Sequence, residues 1–217
     1  MSTSKYDVII WDFNGTILDD IGVCVKMVNE LFLRFGLPLT DEEEYRKAFR
    51  FPVEEYYDEV RLTEFMPYSQ IAEEVAYIYN KTVKNEGIGC FSDIIEVIKE
   101  LHDKGVKQII LSAAPHDLLV YQIENMGLTE YFDAILGIKD IYAAGKVDIA
   151  RAWLNSQKAK PETLLLIGDS QHDKEIADLL KAKCILVSRG HVSKQRLENV
   201  GVPVYQDGNE LLSLIME

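Results

Sequence analysis

The sequence predicts an α/β protein: a doubly wound parallel sheet with an inserted all-helical subdomain. Short, wholly apolar runs at 8–10, 109–111, 164–167 and 185–187 have the composition of strands buried on both faces. Helical patterns alternate with the last three of these runs, as parallel crossover connections require. Residues 20–85 break that alternation with successive helical patterns and no strand signal.

The first strand, 8–10, exits through Trp11 into Asp12-Phe13-Asn14-Gly15-Thr16. In the helical stretch Val25, Val28, Phe32 and Phe35 share a face before Gly36-Leu37-Pro38. Thr40 with Glu43 fits a capping box, and Ile71, Val75, Ile78 and Thr82 line a later helix. Ser92 is expected to cap the next helix, which places Ile95, Ile98 and Leu101 on one face and stops at Gly105. Helices are expected over 117–126, ending at Gly127, and over 173–182, leading into the last apolar run. The division that follows is a core of residues 1–19 and 86–217 with a helical subdomain at 20–85. That subdomain starts just past the first strand's exit, where open α/β sheets place their binding sites, so it is positioned to act as a lid.

A chain of 217 residues builds one sizeable core without disulfides. Cys24, Cys90 and Cys184 are scattered and form no Cys-x-x-Cys pair, so they read as small apolar groups and not as a zinc site. No apolar run is long enough for a membrane span and the first residues are polar, which predicts a cytoplasmic protein. A formal net charge of −13 argues against nucleic acid and membrane partners. An acidic protein still binds a small phosphorylated substrate where a divalent cation and backbone amides reverse the charge locally. Association beyond a monomer or weak homodimer is not expected.

The residues suited to that chemistry follow predicted strands or sit between elements. Asp12 and Asn14 follow the first strand, and Ser112 with Ala113 follows 109–111. Lys146 lies in Ala144-Gly145-Lys146, and Asp169 and Asp173 lie in Gly168-Asp169-Ser170-Gln171-His172-Asp173 after 164–167. Singly each has an ordinary explanation: a helix cap, a turn hydroxyl, a surface lysine. Parallel strands would bring the strand-end groups to one edge of the sheet.

In this order and spacing, Asp-x-Asn-Gly-Thr, then Ser, then Gly-Lys, then Gly-Asp-x-x-x-Asp resembles the haloacid dehalogenase superfamily. The closest pattern is that of its phosphatase-like members with a helical cap after the first motif, phosphoglycolate phosphatases among them. The resemblance covers nearly the whole chain. It implies Asp12 as the nucleophile that forms an aspartyl-phosphate, with Ser112 and Lys146 holding phosphoryl oxygens and Mg²⁺ as cofactor. It further implies Asp12, the Asn14 carbonyl and Asp169 as metal ligands, with Asp173 an outer partner or additional metal-linked carboxylate. The residue chemistry agrees. Asp12 is ionised at neutral pH, and a divalent cation, Lys146, Ser112 and the amides around Gly15, Thr16 and Ala113 can offset its repulsion from a phosphoryl group.

The chain departs from that family at Asn14, where its phosphatases carry Asp for proton transfer to the leaving group and from water. An amide performs neither transfer, so turnover is expected to favour good leaving groups such as an acyl phosphate, or to recruit His116 or His172. The alternative is a phosphate-binding or regulatory protein with little turnover. For substrate anions in the helical subdomain, the basic patch of Arg46, Lys47 and Arg50 supplies the candidates Arg46 and Arg50. Tyr56 and Tyr57 are expected to pack within the helices.

Overall fold

The computed structural model describes residues 4–138, 146–157 and 160–216. In chain order it has strand β1 (Val8–Trp11) followed by four helices, α1 (Ile21–Phe35), α2 (Glu42–Ala48), α3 (Val53–Glu59) and α4 (Tyr68–Glu86). Then come α5 (Ser92–Asp103), β2 (Lys107–Pro115), α6 (His116–Asn125), β3 (Ala134–Ile138), α7 (Lys146–Gln157) and β4 (Leu164–Gly168). The chain finishes with α8 (Gln171–Leu180), β5 (Lys183–Val187), α9 (Lys194–Glu198), β6 (Val204–Tyr205) and α10 (Gly208–Met216). The strands form one sheet of six in the order β3-β2-β1-β4-β5-β6, every pairing parallel.

Alternation along each strand distributes the core to two faces. Val8, Ile10, Ile109, Leu111, Leu164 and Leu166 point to one side, where they pack in a single cluster with residues of α1–α4, α7 and α8. Ile9, Trp11, Ile110, Leu165 and Ile167 point to the other, against α5, α6 and α10. Trp11 is fully buried and its indole N–H donates to Gln108 Oε1 at 3.0 Å, which satisfies the one polar atom it brings into the core.

The element boundaries refine several expectations. The cap of α2 is Asp41, whose carboxylate accepts from the Glu44 amide at 2.9 Å; Thr40 instead donates its hydroxyl to the Asp41 carbonyl. Ser92 is the first helical residue of α5 and not its cap; that turn is anchored by the Phe91 amide on the Ile17 carbonyl. Helix α8 begins two residues before Asp173, with Ser170 as cap and Asp173 closing a capping box. Strand β2 runs past Leu111 to Pro115, with a register irregularity between those two residues. The edge strands β3 and β6 have no counterpart among the four apolar runs.

Candidate active site

Strand β1 lies between β2 and β4, where the order of connections reverses, and the crevice beyond the carboxyl ends of such strands is where open α/β sheets hold ligands. A cavity of about 360 Å³ opens there. Its floor holds Asp12, Asn14, Ser112, Lys146, Asp169 and Asp173 together.

Asp12 is held by the backbone before its side chain does anything: its amide donates to the Ile167 carbonyl at 2.8 Å, continuing the β1–β4 ladder by one residue. One carboxylate oxygen takes Lys146 Nζ at 2.5 Å, and the other faces the Thr16 hydroxyl at 3.4 Å. Lys146 opens α7, is buried, and lies 3.4 Å from Asp173 Oδ1 as well. Asp173 has two jobs: Oδ2 accepts from the amide and hydroxyl of Ser170 at 3.1 and 2.6 Å, while Oδ1 faces Lys146. Asp169 accepts from the His191 amide in the loop after β5. Gly15 has φ 72, and a Cβ there would meet Asp169 and come within 2.7 Å of the His191 ring, so both the turn and the close approach demand glycine. Ser112 sits at the β2 irregularity with its hydroxyl 3.0 Å from the Ala114 amide and 3.5 Å from Asn14 Oδ1.

A second layer surrounds Asn14. Its amide nitrogen donates to Asp20 Oδ2 at 2.7 Å and to the Tyr79 hydroxyl at 2.9 Å, and Tyr79 donates in turn to Asp20 at 3.1 Å. Both amide hydrogens are therefore used, and the atom Asn14 turns toward Ser112 is an acceptor oxygen. Asp20 Oδ1 takes the Gly15 amide at 3.0 Å and lies 3.3 Å from His191 Nε2, whose other ring nitrogen lies 3.1 Å from the Tyr45 hydroxyl.

Burial pushes Asp12 up to about 6 despite Lys146, with Asp173 adding repulsion. Burial likewise raises Asp169 to about 8, against the pull of His191 and with Asp12 and Asp173 opposing its charge. Burial alone would lower His191, but the Asp20 charge and hydrogen bond, with Asp169 and Asp12 behind it, raise it to about 9. Asp20 resists its own burial because His191, Asn14 and Tyr79 stabilise the carboxylate, and it stays below the usual range.

With all groups ionised, the buried carboxylates of Asp12, Asp20, Asp169 and Asp173 outnumber the cations Lys146 and His191 by two. Oxygens of Asp12, Asp169 and Asp173 lie within 4.8 Å of one another. An all-oxygen, under-neutralised set of this kind fits a hard divalent cation. Asp20, Cys24 and His191 form another close group, whose members already bond to one another.

The structure does not bring every predicted residue to this place. Arg46 donates from Nε to the Gly190 carbonyl at 2.9 Å and pairs with Glu42 at 3.1 Å, joining α2 to the loop after β5. Arg50 pairs with Glu59 and lines a separate cleft of about 260 Å³. His172 lines that same cleft, stacked on Phe51 with ring centroids 5.0 Å apart, and His116 is not among the residues around the central cavity. Tyr56 is buried among the helices, whereas Tyr57 reaches the cavity wall. Ala144 and Gly145 lie outside the described residues. Asp20, Tyr45, Tyr79 and His191 were not anticipated. Only His191 carried a usable signal, since it follows a predicted strand at 185–187 just as Asp12 and Asp169 follow theirs.

The model of the haloacid dehalogenase-like hydrolase family matches residues 9–187, which span the whole floor of the site except His191. The chain belongs to that family. Among curated relatives of this hydrolase is the phosphoglycolate phosphatase of Vibrio parahaemolyticus, 22% identical over 201 residues, covering 80% of this chain and 79% of the relative. The pyrophosphatase PpaX of Halalkalibacterium halodurans is 27% identical over 84 residues, which cover 38% of this chain and 39% of the relative. Among solved structures, a haloacid dehalogenase-like protein of Agrobacterium tumefaciens superposes with a TM-score of 0.81 at 18% identity, covering 97% of each chain. Similarity at that level concerns the fold. Among the described residues no helix is long and apolar enough to cross a membrane.

Proposed function

We propose that this hydrolase is a Mg²⁺-dependent phosphatase of a small phosphorylated metabolite, working through an aspartyl-phosphate at Asp12. The observation that carries the proposal is the contact of Asp12 with Lys146 inside the under-neutralised carboxylate cluster at the sheet's switch point. Asp12, Asp169, Asp173 and the Asn14 carbonyl are the groups available to hold Mg²⁺, which when bound would offset the charge of the phosphoryl oxygens. An Asp12 carboxylate oxygen attacks phosphorus; the bond from phosphorus to the leaving oxygen breaks and its electron pair departs with the leaving group. Water then attacks the same phosphorus, the bond to Asp12 breaks, and inorganic phosphate and a proton are released. Lys146 and Ser112 donate to the phosphoryl oxygens, and the helices α1–α4 serve as a cap that keeps water from the site.

Purified protein with Mg²⁺ is expected to hydrolyse acetyl phosphate, and Asp12→Asn to lose at least about 10³-fold of that rate. Activity that survives Asp12→Asn would remove Asp12 from the chemistry.

A second reading, ligand binding with poor turnover, is favoured by one observation: Asn14 turns an acceptor oxygen and no proton donor toward the site. The obvious test, Asn14→Asp, places a second carboxylate against Asp20, where the two would share a proton. The informative variant therefore combines Asn14→Asp with Asp20→Asn. If proton transfer is what limits the wild type, the double variant gains at least about tenfold on alkyl phosphates. No gain would dismiss the second reading.

A further inference from the structure

The cavity above the carboxylate cluster is two-sided in its chemistry. Among the described residues, every charged side chain that lines it belongs to the floor: Asp12, Asp20, Lys146, Asp169, Asp173 and His191. Between residues 24 and 80 the lining contains no Asp, Glu, Lys or Arg; it is built mostly of groups such as Met27, Phe49, Tyr57, Tyr68, Val75 and Ala76, with Asn80 its one amide. The rim contributed by β2 and α6, Ala113, Ala114, Pro115 and Leu118, is uncharged too. Arg46 and Arg50 are committed elsewhere, Arg46 to Gly190 and Glu42, Arg50 to Glu59.

These facts constrain what can be attached to the phosphate. A divalent cation on the floor brings the buried charge set to neutrality, and a phosphate dianion then returns it to an excess of negative charge. A second anionic group on the substrate would be taken from water into an apolar wall with no counter-charge among the described residues, which is costly. An apolar group gains from the same wall by leaving water, and a ring finds aromatic faces there.

The geometry points to substrates whose phosphate carries an uncharged, apolar group, aromatic rings included, and away from phosphates that carry a carboxylate or a second phosphate. This refines the phosphatase reading and rests on it for the placement of the phosphate. It also separates the chain from the substrates named for its phosphoglycolate phosphatase and pyrophosphatase relatives, both of which bear a further negative charge.

Two phosphonates that share a P–CH2 link isolate the question from leaving-group reactivity. Benzylphosphonate ends in a phenyl ring and phosphonoacetate in a carboxylate. Titration calorimetry of the full chain in Mg²⁺ is expected to show benzylphosphonate binding at least about tenfold tighter. Equal or tighter binding of phosphonoacetate overturns the inference, as does failure of both to bind a protein that hydrolyses acetyl phosphate. Ala76→Arg, at an exposed helical position on the wall, is expected to narrow the ratio about tenfold by supplying a counter-charge. Ala72→Arg on the same wall repeats the test should the first variant fold poorly, and an unchanged ratio in a folded variant counts against the inference. Absence of Mg²⁺-dependent acetyl phosphate hydrolysis defeats the phosphatase reading alone, because the binding ratio is read without turnover.

Discussion

At the scale of single residues, burial makes the ionised forms of the site's carboxylates unfavourable. Asp12 at about 6 and Asp169 at about 8 both hold protons more tightly folded than unfolded. Between pH 4 and 8 the native state therefore binds more protons than the unfolded chain, and metal-free stability falls as pH rises through that window. His191, at about 9, extends the same fall above the ordinary histidine range. On the proposed reading Mg²⁺ would compete with those protons, so its stabilising effect should grow with pH. Saturation at about 100 times Kd is worth roughly 5–10 °C in Tm for a chain of this size. Melting curves with and without MgCl2 should show a clearly larger gain at pH 8 than at pH 5.5; equal gains would argue that these carboxylates are not the ligands. Asp169→Asn removes a carboxyl that folding must either protonate or bury charged, and should raise the metal-free Tm while abolishing most of the Mg²⁺ gain. Gly190→Ala makes the opposite intrusion: its Cβ would overlap the Asp169 side chain, so it should lose the Mg²⁺ response and lower stability together.

At the scale of elements, the contact that holds the helical segment against the loop after β5 runs through the end of α2. Arg196, in the middle of α9, donates to the carbonyls of Arg46, Lys47 and Phe49, the free carbonyl end of α2, and the Ser193 amide donates to the Arg46 carbonyl. Arg196→Ala should cost about 1–3 kcal/mol in urea unfolding, and Arg196→Lys should recover part of it. A change within a few tenths would show the contact to be incidental. This connection was hard to read in the sequence because it joins residues about 150 positions apart with no spacing rule to announce it. The same holds for the network of Asp20, Tyr45, Tyr79 and His191. Asp12, Ser112 and Asp169 are legible because each follows an apolar run with the composition of a buried parallel strand. Strands β3 and β6 lie at the sheet edges; most of β3 is only half-buried and β6 has two residues, so neither presents a full apolar run. Charge alone makes Arg46 and Arg50 candidates for a substrate anion, and charge says nothing about which carbonyl or carboxylate a long side chain will find.

At the scale of the whole molecule, the sheet and the four helices after β1 share one apolar cluster, so wall and floor are parts of the same packed body. Ile10 and Leu166, fully buried side by side in β1 and β4, lie directly beneath the site. Leu166→Ala should cost about 2–5 kcal/mol by chemical denaturation, with loss of Mg²⁺ affinity in proportion to any shift of Asp12. Shared packing also sets how the molecule can change over generations. Phe49 and Tyr57 face the cavity but belong to that common cluster, so variation there is penalised whatever it offers a new substrate. Ala72 and Ala76 face the same cavity from α4 without belonging to the cluster. Inherited changes of taste should accumulate at those two small residues, one helical turn apart, while the carboxylates below them stay as they are.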